Sequence, residues 1–244
     1  MQFTDIAVGS GTERSAFTGM LEGGLHEALQ HSLRGQLSHA AATARALVDH
    51  VSGAHLPAVQ SIVDTVEHAE GMLEDALELL RAGSTGRVQV TKRRTNLKFV
   101  CELVVDSIQA RYPTRGLDFG SERSRVVGEW DPDAIAAMLT RLILHAIGYG
   151  PAGGVVRIRL DEVGEEVILE VWSAGTMPAD IPLDRIFDPF VSARSRGSEA
   201  GHRLGLGLCL ASAIARAHDG KISAHGDAAG TTLRVALPNV SKKA

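Results

Sequence analysis

The sequence predicts an α+β protein: an N-terminal helical hairpin that pairs with a second copy as a four-helix bundle, followed by an α/β sandwich. Three observations predict it. Leu21, Leu25, Leu29, Leu33 and Leu37 recur every four residues and are continued by Ala40, Ala44, Leu47 and Val51, the ridge of one helix from about Thr18 to Val51. Val59, Ile62, Val66, Ala69, Leu73, Ala76 and Leu80 then alternate steps of three and four, a heptad seam. Period-two alternation begins only after residue 86.

Each element follows from local chemistry. Gly53 breaks the first helix, and Pro57 suits the first turn of a second that runs to about Arg81. The polar side of that second helix carries Asp64, Glu67, Glu70, Glu74, Asp75 and Glu78. A hairpin with such a seam cannot bury its apolar surface alone, so a homodimer is expected. Ala82 to Gly86 reads as a short linker, which divides the chain into an arm (1–17), a helical hairpin (18–86) and a sandwich (87–240). In the sandwich, Asn96 to Arg111 and Asp131 to Ile147 are amphipathic helices; Ile135, Met138, Leu139, Leu142, Ile143 and Ala146 form the buried face of the latter. Leu117 to Phe119, Arg125 to Trp130, Val155 to Leu160 and Val167 to Val171 are strands, the last two joined by a turn at Glu162 to Glu165. A helix from Leu206 to His218 and strands at Lys221 to Ala224 and Thr232 to Leu237 close the domain, with strands in one layer and helices in the other.

Composition narrows the function. The chain has 244 residues, 44% hydrophobic with 4% aromatic, which suits a globular protein with buried cores. A formal charge of −4 leaves no basic footprint for nucleic acid. No apolar run approaches the roughly 18 residues of a membrane span, and the N-terminal residues lack a signal-peptide core. Cys101 and Cys209 lie in apolar segments without metal-ligand spacing, as expected of buried thiols in a reducing cytoplasm.

Five short motifs occur in order: His31-Ser32-Leu33-Arg34-Gly35-Gln36-Leu37, His145-Ala146-Ile147-Gly148-Tyr149-Gly150-Pro151, Ser173-Ala174-Gly175, Arg185-Ile186-Phe187-Asp188-Pro189-Phe190, and Gly205-Leu206-Gly207-Leu208. At 100° per residue His31 points away from the leucine ridge and shares a face with Glu27, Arg34 and Ser38, the exposure that a phosphate-accepting histidine requires. Gly205-Leu206-Gly207-Leu208 opens a helix, where free backbone amides and small residues suit a phosphate. Val191 to Leu204 reads as a mobile lid with Arg194, Arg196, His202 and Arg203 as phosphate contacts.

In order and spacing the motifs resemble the H, N, G1, F and G2 boxes of bacterial two-component sensor histidine kinases, over about Leu21 to Pro238. Ala211, Ile214, Ala215, His218, Gly220 and Lys221-Ile222 extend the last match, and Gly230-Thr231-Thr232-Leu233 resembles the final strand's G-T-x-F. The resemblance implies a dimerisation and phosphoacceptor hairpin followed by the GHKL-type ATP-binding sandwich shared with gyrase and mismatch-repair ATPases. It implies ATP and Mg2+ as cofactors, with His145, Gly148, Tyr149, Ser173, Gly175, Arg203, Gly205, Leu206, Gly207, Leu208 and Thr231 around the nucleotide and His145 at the metal. Phosphate would pass from ATP to His31 and on to an aspartate in a response regulator receiver domain. The signal would come from a separate sensor protein in trans, or the chain is a fragment of a longer one.

Four polar positions depart from the family pattern. Ser32 stands where the family has its acidic general base, His145 where an asparagine binds magnesium, Gly148 where a lysine meets phosphate, and Ser173 where an Asp or Asn accepts from adenine. A hydroxyl cannot take a proton from imidazole as a carboxylate does. Magnesium prefers oxygen ligands to imidazole. These changes define an alternative: a pseudokinase, or a histidine phosphotransferase or docking module with weak or no ATP binding. The heptad seam makes a prediction of its own. Replacing Ile62 and Leu73 with Glu buries like charges in the bundle and should give monomers or aggregates; light scattering that finds the unmodified chain monomeric at tens of micromolar contradicts the bundle.

Overall fold

Asp131-Pro132 starts the helix around which the sandwich is built. The Asp131 side chain caps it, accepting from the backbone N–H groups of Asp133 (3.0 Å) and Ala134 (3.1 Å), and proline fills a first-turn position where no N–H is needed. In a computed structural model that describes residues 32–48, 50–85, 88–151, 153–175, 182–183, 185–189, 191 and 206–239, the chain forms two compact units, one through Leu73 and one from Glu74.

The first unit holds helix α1 (32–48), a 3-10 turn at Gly53–His55 and most of helix α2 (Leu56–Thr85). Ala41, Ala44 and Val63 are buried, and Ser38 Oγ donates to Glu70 Oε1 at 2.7 Å, tying the two helices together. The buried positions are not quite the expected ones: Ala41 is covered and Ala40 exposed, and Val63 is covered while Ile62 is 54% exposed. Leu33, Leu47 and Leu56 are exposed as well.

The second unit begins with the last turns of α2. These residues correct the expected linker, because Ala82 to Gly86 does not interrupt the helix before Thr85. Leu77 is buried and Leu79 packs on the main core, so tertiary contacts carry the helix through Gly83 and Ser84 against their propensity. Strand β1 (Arg93–Asn96), which the alternation did not predict, pairs antiparallel with β3 (Val127–Trp130). Within β3 the Trp130 ring folds over Gly128, where a Cβ would lie 2.1 Å from it. Helices α3 (Leu97–Arg111), α4 (Pro132–Tyr149) and α5 (Leu206–Ala217) complete the helical layer.

The main sheet runs in the order β2 (Gly116–Gly120), β4 (Val155–Val163), β5 (Glu166–Ala174), β7 (Gly230–Pro238), β6 (Lys221–Gly226), antiparallel except for β2 beside β4. Gly164, at φ 64°, turns β4 into β5. Ile158, Leu160, Leu169, Val171, Leu233 and Val235 share one core with Ile135, Leu139, Leu142, Ile143, Leu210 and Ile214. Leu142 is fully buried, so truncation to Ala costs about 2–5 kcal/mol. The other sheet face is polar: Arg159 pairs with Asp118 at 2.7 Å, Arg234 with Glu170, and Arg157 lies 4.4 Å over the Trp172 ring. Both cysteines are buried, and desolvation pushes the Cys101 thiol up to about 12. Among the described residues no helix is long and apolar enough to cross a membrane.

His218 joins the end of α5 to the start of α4. It is 1% exposed; its Nε2 accepts from Asp131 N–H at 3.0 Å and its Nδ1 lies 2.9 Å from Ile214 O. The carbonyl can only accept, so the proton sits on Nδ1 and the ring is neutral. Burial lowers its pKa first, Lys92 adds to that, and Ile214 O, Asp131 and Asp219 oppose it. The folded form thus binds the proton less well than the unfolded chain. Stability is whole above the unfolded value of about 6.5 and is lost as pH falls below it, by up to about 1.4 kcal/mol per pH unit. The urea midpoint should therefore drop between pH 7 and 5, and His218→Asn should be weaker at pH 8 but flatter over that range; an unchanged midpoint in the unmodified chain contradicts the assignment.

Candidate nucleotide site

Three elements converge on one small cavity. The C-terminal half of α4 supplies His145, Ala146 and Tyr149; β5 supplies Val171 and Ser173, with Gly175 just beyond; β7 supplies Thr231 and Leu233. The register explains the convergence. Ser173 pairs with Thr231 and Val171 with Leu233, so two cross-strand pairs, two residues apart, face the helices. Ser173 and Thr231 are each 7% exposed. The cavity encloses about 10 Å³, room for roughly one water. Its walls are apolar at Val171 and Leu233 and polar at the Ser173 and Thr231 hydroxyls, the mixture expected of a small-molecule site.

Local geometry keeps this corner open. Gly175 has φ 108°, and a Cβ there would stand 3.2 Å from Tyr149 O. Thr231 Oγ1 donates to Gly175 O at 3.3 Å and holds the turn against β7. The His145 and Tyr149 rings lie 4.4 Å apart at 37°, one helical turn from each other. Tyr149 and Gly175 thus meet in the structure as well as in the motif order.

The remaining sequence candidates divide. Gly148 is exposed on α4 and brings no side chain to the cavity. Leu206 and Leu208 are buried in the core, so at the first turn of α5 only the backbone and half-buried Gly207 face outward. Ser32 is exposed at the start of the described part of α1, its Oγ accepting from Gln36 Nε2 at 3.3 Å. His31, Arg203 and Gly205 lie outside the described residues, as does all of the expected Val191 to Leu204 lid except Val191. Ile186 of the fourth motif is buried, Phe187 packs on the core, and Arg185 pairs with Asp188 at 3.1 Å. Sequence reading missed Val171 and Leu233 as walls, although their spacing of two from Ser173 and Thr231 carried the signal.

Donor chemistry tests the two implied cofactors differently. Hydroxyls and a close-approach glycine around a one-water cavity fit the polar edge of a nucleobase rather than its whole ring. Magnesium does not fit: His145 offers nitrogen, and among the described residues no cluster of three His, Cys, Asp or Glu side chains could hold a metal. Arg141, one turn before His145, is engaged elsewhere. Its Nε donates to Asp75 Oδ1 at 2.8 Å, and its Nη2 lies 2.7 Å from Asp75 and 3.3 Å from Glu78. Burial raises the Asp75 carboxyl above its ordinary range, and the Arg141 guanidinium offsets only part of the rise. Gly175 yields a direct prediction. Gly175→Ala forces a side chain into a left-handed conformation against Tyr149 O and should cost about 1–3 kcal/mol; chemical denaturation reads the loss, and a variant as stable as the parent contradicts the geometry.

Comparison with known proteins agrees with this arrangement. Residues 130–241 match the family "Histidine kinase-, DNA gyrase B-, and HSP90-like ATPase". The Sensor protein CutS of Streptomyces coelicolor is 27% identical over 182 residues, 73% of this chain and 43% of CutS. Sensor histidine kinase CusS of Escherichia coli K12 is 30% identical over 169 residues, 68% of this chain and 35% of CusS. The chain therefore spans less than half the length of these curated relatives. Full-length ShkA in complex with AMPPNP shares the fold at a TM-score of 0.64 and 19% identity, over 88% of this chain and 45% of ShkA. Histidine kinase ThkA in complex with the response regulator protein TrrA does so at 0.59 and 16%, over 98% of this chain and 70% of ThkA. Residues 130–241 thus belong to the histidine kinase-, DNA gyrase B- and HSP90-like ATPase family as a GHKL-type sandwich, and the chain is similar to two-component sensor kinases over 68% to 73% of its length.

Proposed function

We propose that the chain is the ATP-dependent core of a two-component histidine kinase, passing phosphate from ATP to His31 and then to an aspartate of a response regulator. The observation that carries this reading is the convergence of His145, Ser173, Gly175 and Thr231, distant in sequence, on one cavity. ShkA binds a nucleotide analogue and ThkA a response regulator, which supports both halves of the reading.

The residues divide the work. Ser173 is too short to reach an adenine amino group directly, and a cavity of about 10 Å³ holds the one water that bridges the gap. Val171 and Leu233, both buried, form the apolar wall behind that water. The first described turn of α5, Leu206 to Leu208, which follows the glycine-rich motif, receives phosphate through its backbone. A ring nitrogen of His31 then attacks the γ-phosphorus, the bond to the ADP oxygen breaks, and the imidazole proton leaves to water, because Ser32 has no carboxylate to take it. The aspartate of the regulator attacks the same phosphorus, and the P–N bond breaks as the histidine regains a proton. No side chain lining the cavity offers magnesium a carboxylate. The chain works as a homodimer in the cytoplasm, its exposed Leu33, Leu47, Leu56 and Ile62 covered by the second copy.

Calorimetry tests the site. The unmodified chain should bind ATP weakly and with little dependence on magnesium. His145→Asn should strengthen that dependence, and adding Ser173→Asp should add selectivity for adenine over guanine. Acid-labile phosphate should appear on His31 and vanish in His31→Ala. No binding even in the double variant would show that the domain is a docking module rather than a kinase.

A further inference from the structure

Arg141 lies beside the first described turn of α5. It stands one turn before His145 on α4, and its stem runs past the first turn of α5: a Cβ on Gly207 would lie 3.9 Å from Arg141 Cγ. Yet its head group is turned to the last turns of α2. Asp75 Oδ1 receives Nε at 2.8 Å and Nη2 at 2.7 Å, Glu78 Oε2 accepts from Nη2 at 3.3 Å, and Nη1 donates to Ala137 O at 2.9 Å. The Arg141 and Asp75 side chains are only 15% and 16% exposed. The second oxygen of Asp75 reaches further, to 3.2 Å from the Cβ position of Gly207. One carboxylate therefore touches both the guanidinium and, at Gly207, the first described turn of α5, where the glycine-rich motif would receive a phosphate.

We propose that Asp75, assisted by Glu78, is an internal anion that competes with the nucleotide phosphates for Arg141 and the first turn of α5. The proposal rests on the nucleotide reading of the cavity and adds its regulation. Binding of ATP requires the acidic pair to release Arg141, so nucleotide occupancy and the packing of the end of α2 on α4 exclude one another. The apparent ATP affinity is lowered by the fraction of molecules in which the pair is closed. A ligand without phosphate makes no use of Arg141 and does not sense the gate.

The experiment compares ATP and adenosine on five proteins: the unmodified chain, Asp75→Asn with Glu78→Gln, Glu78→Gln alone, Arg141→Ala, and Glu102→Gln as a control for removing an exposed charge from α3. The double variant should bind ATP about tenfold more tightly, a usual size for such coupling, with adenosine unchanged. Glu78→Gln, which leaves the Asp75 pair intact and guards against misfolding of the double variant, should gain less. Arg141→Ala should bind ATP more weakly, and the control should match the parent. Amides from Glu74 to Thr85 should exchange hydrogen faster when ATP is added. Equal ATP affinity in the parent and the double variant overturns the gate and leaves the site standing. An equal gain for adenosine also overturns it, because the variant has then merely loosened the domain. Failure of every protein to bind either ligand overturns the nucleotide reading and the gate together.

Discussion

Burial of one face of α4 is the constraint on which the rest of the sandwich depends. Ile135, Met138, Leu139, Leu142, Ile143, Ala146 and Ile147 lie on that face, and all are covered. At roughly 1.5–3 kcal/mol for each large apolar side chain removed from water, no other orientation of the helix competes. The sheet must then present its own apolar row opposite, which β4, β5 and β7 do by alternation. Once α4 is fixed in rotation, His145 and Tyr149 can only point along the edge of the buried stripe, toward the ends of β5 and β7. The position of the cavity is a by-product of core packing.

Polar groups secure the ends of this arrangement. Asp131 caps α4, receives Thr91 N–H at 2.7 Å, and through its own backbone N–H holds His218 at the end of α5. Burial pushes its carboxyl up, but the amides of Thr91, Ala134 and Asp133 outweigh that and keep it below its ordinary range. A single residue thus ties the β1 side of the domain, α4 and α5 together. At the opposite end of the helix His145 and Tyr149 line the cavity. Hydrogen bonds secure the N-terminal end of α4, and the cavity lies at its C-terminal end.

The departures from the family pattern acquire physical content from the structure. His145 sits against Tyr149 at the cavity wall, so its ring takes up aromatic packing where an asparagine would present an oxygen. Ser173 retains an acceptor at the floor but gives up the charge and reach of a carboxylate. Gly148 is exposed and has no stem, so nothing on that turn replaces a lysine. Arg141, one turn before His145, is paired with the acids of α2. The nucleotide corner is preserved in backbone and shape more than in charge.

Much of this was legible in the sequence. Apolar periodicity placed α3, α4 and α5 within a residue or two, because burial of a stripe or an alternating row is a local signature of the fold. Motif order located His145, Ser173, Gly175 and Thr231. Other features are set by contacts between distant segments. β1 was missed because Arg93 to Asn96 shows no alternation and is a strand only by pairing with β3. The end of α2 was misread because Gly83 and Ser84 look like a linker, whereas packing of Leu77 and Leu79 keeps them helical. Asp75 and Glu78 read as an ordinary solvated face, since nothing within one helix shows which of its acids will meet Arg141. Sequence by itself determined which surfaces must be buried. Tertiary structure alone decided which charges meet, because the energy of an ion pair depends on distance and burial that no local pattern encodes.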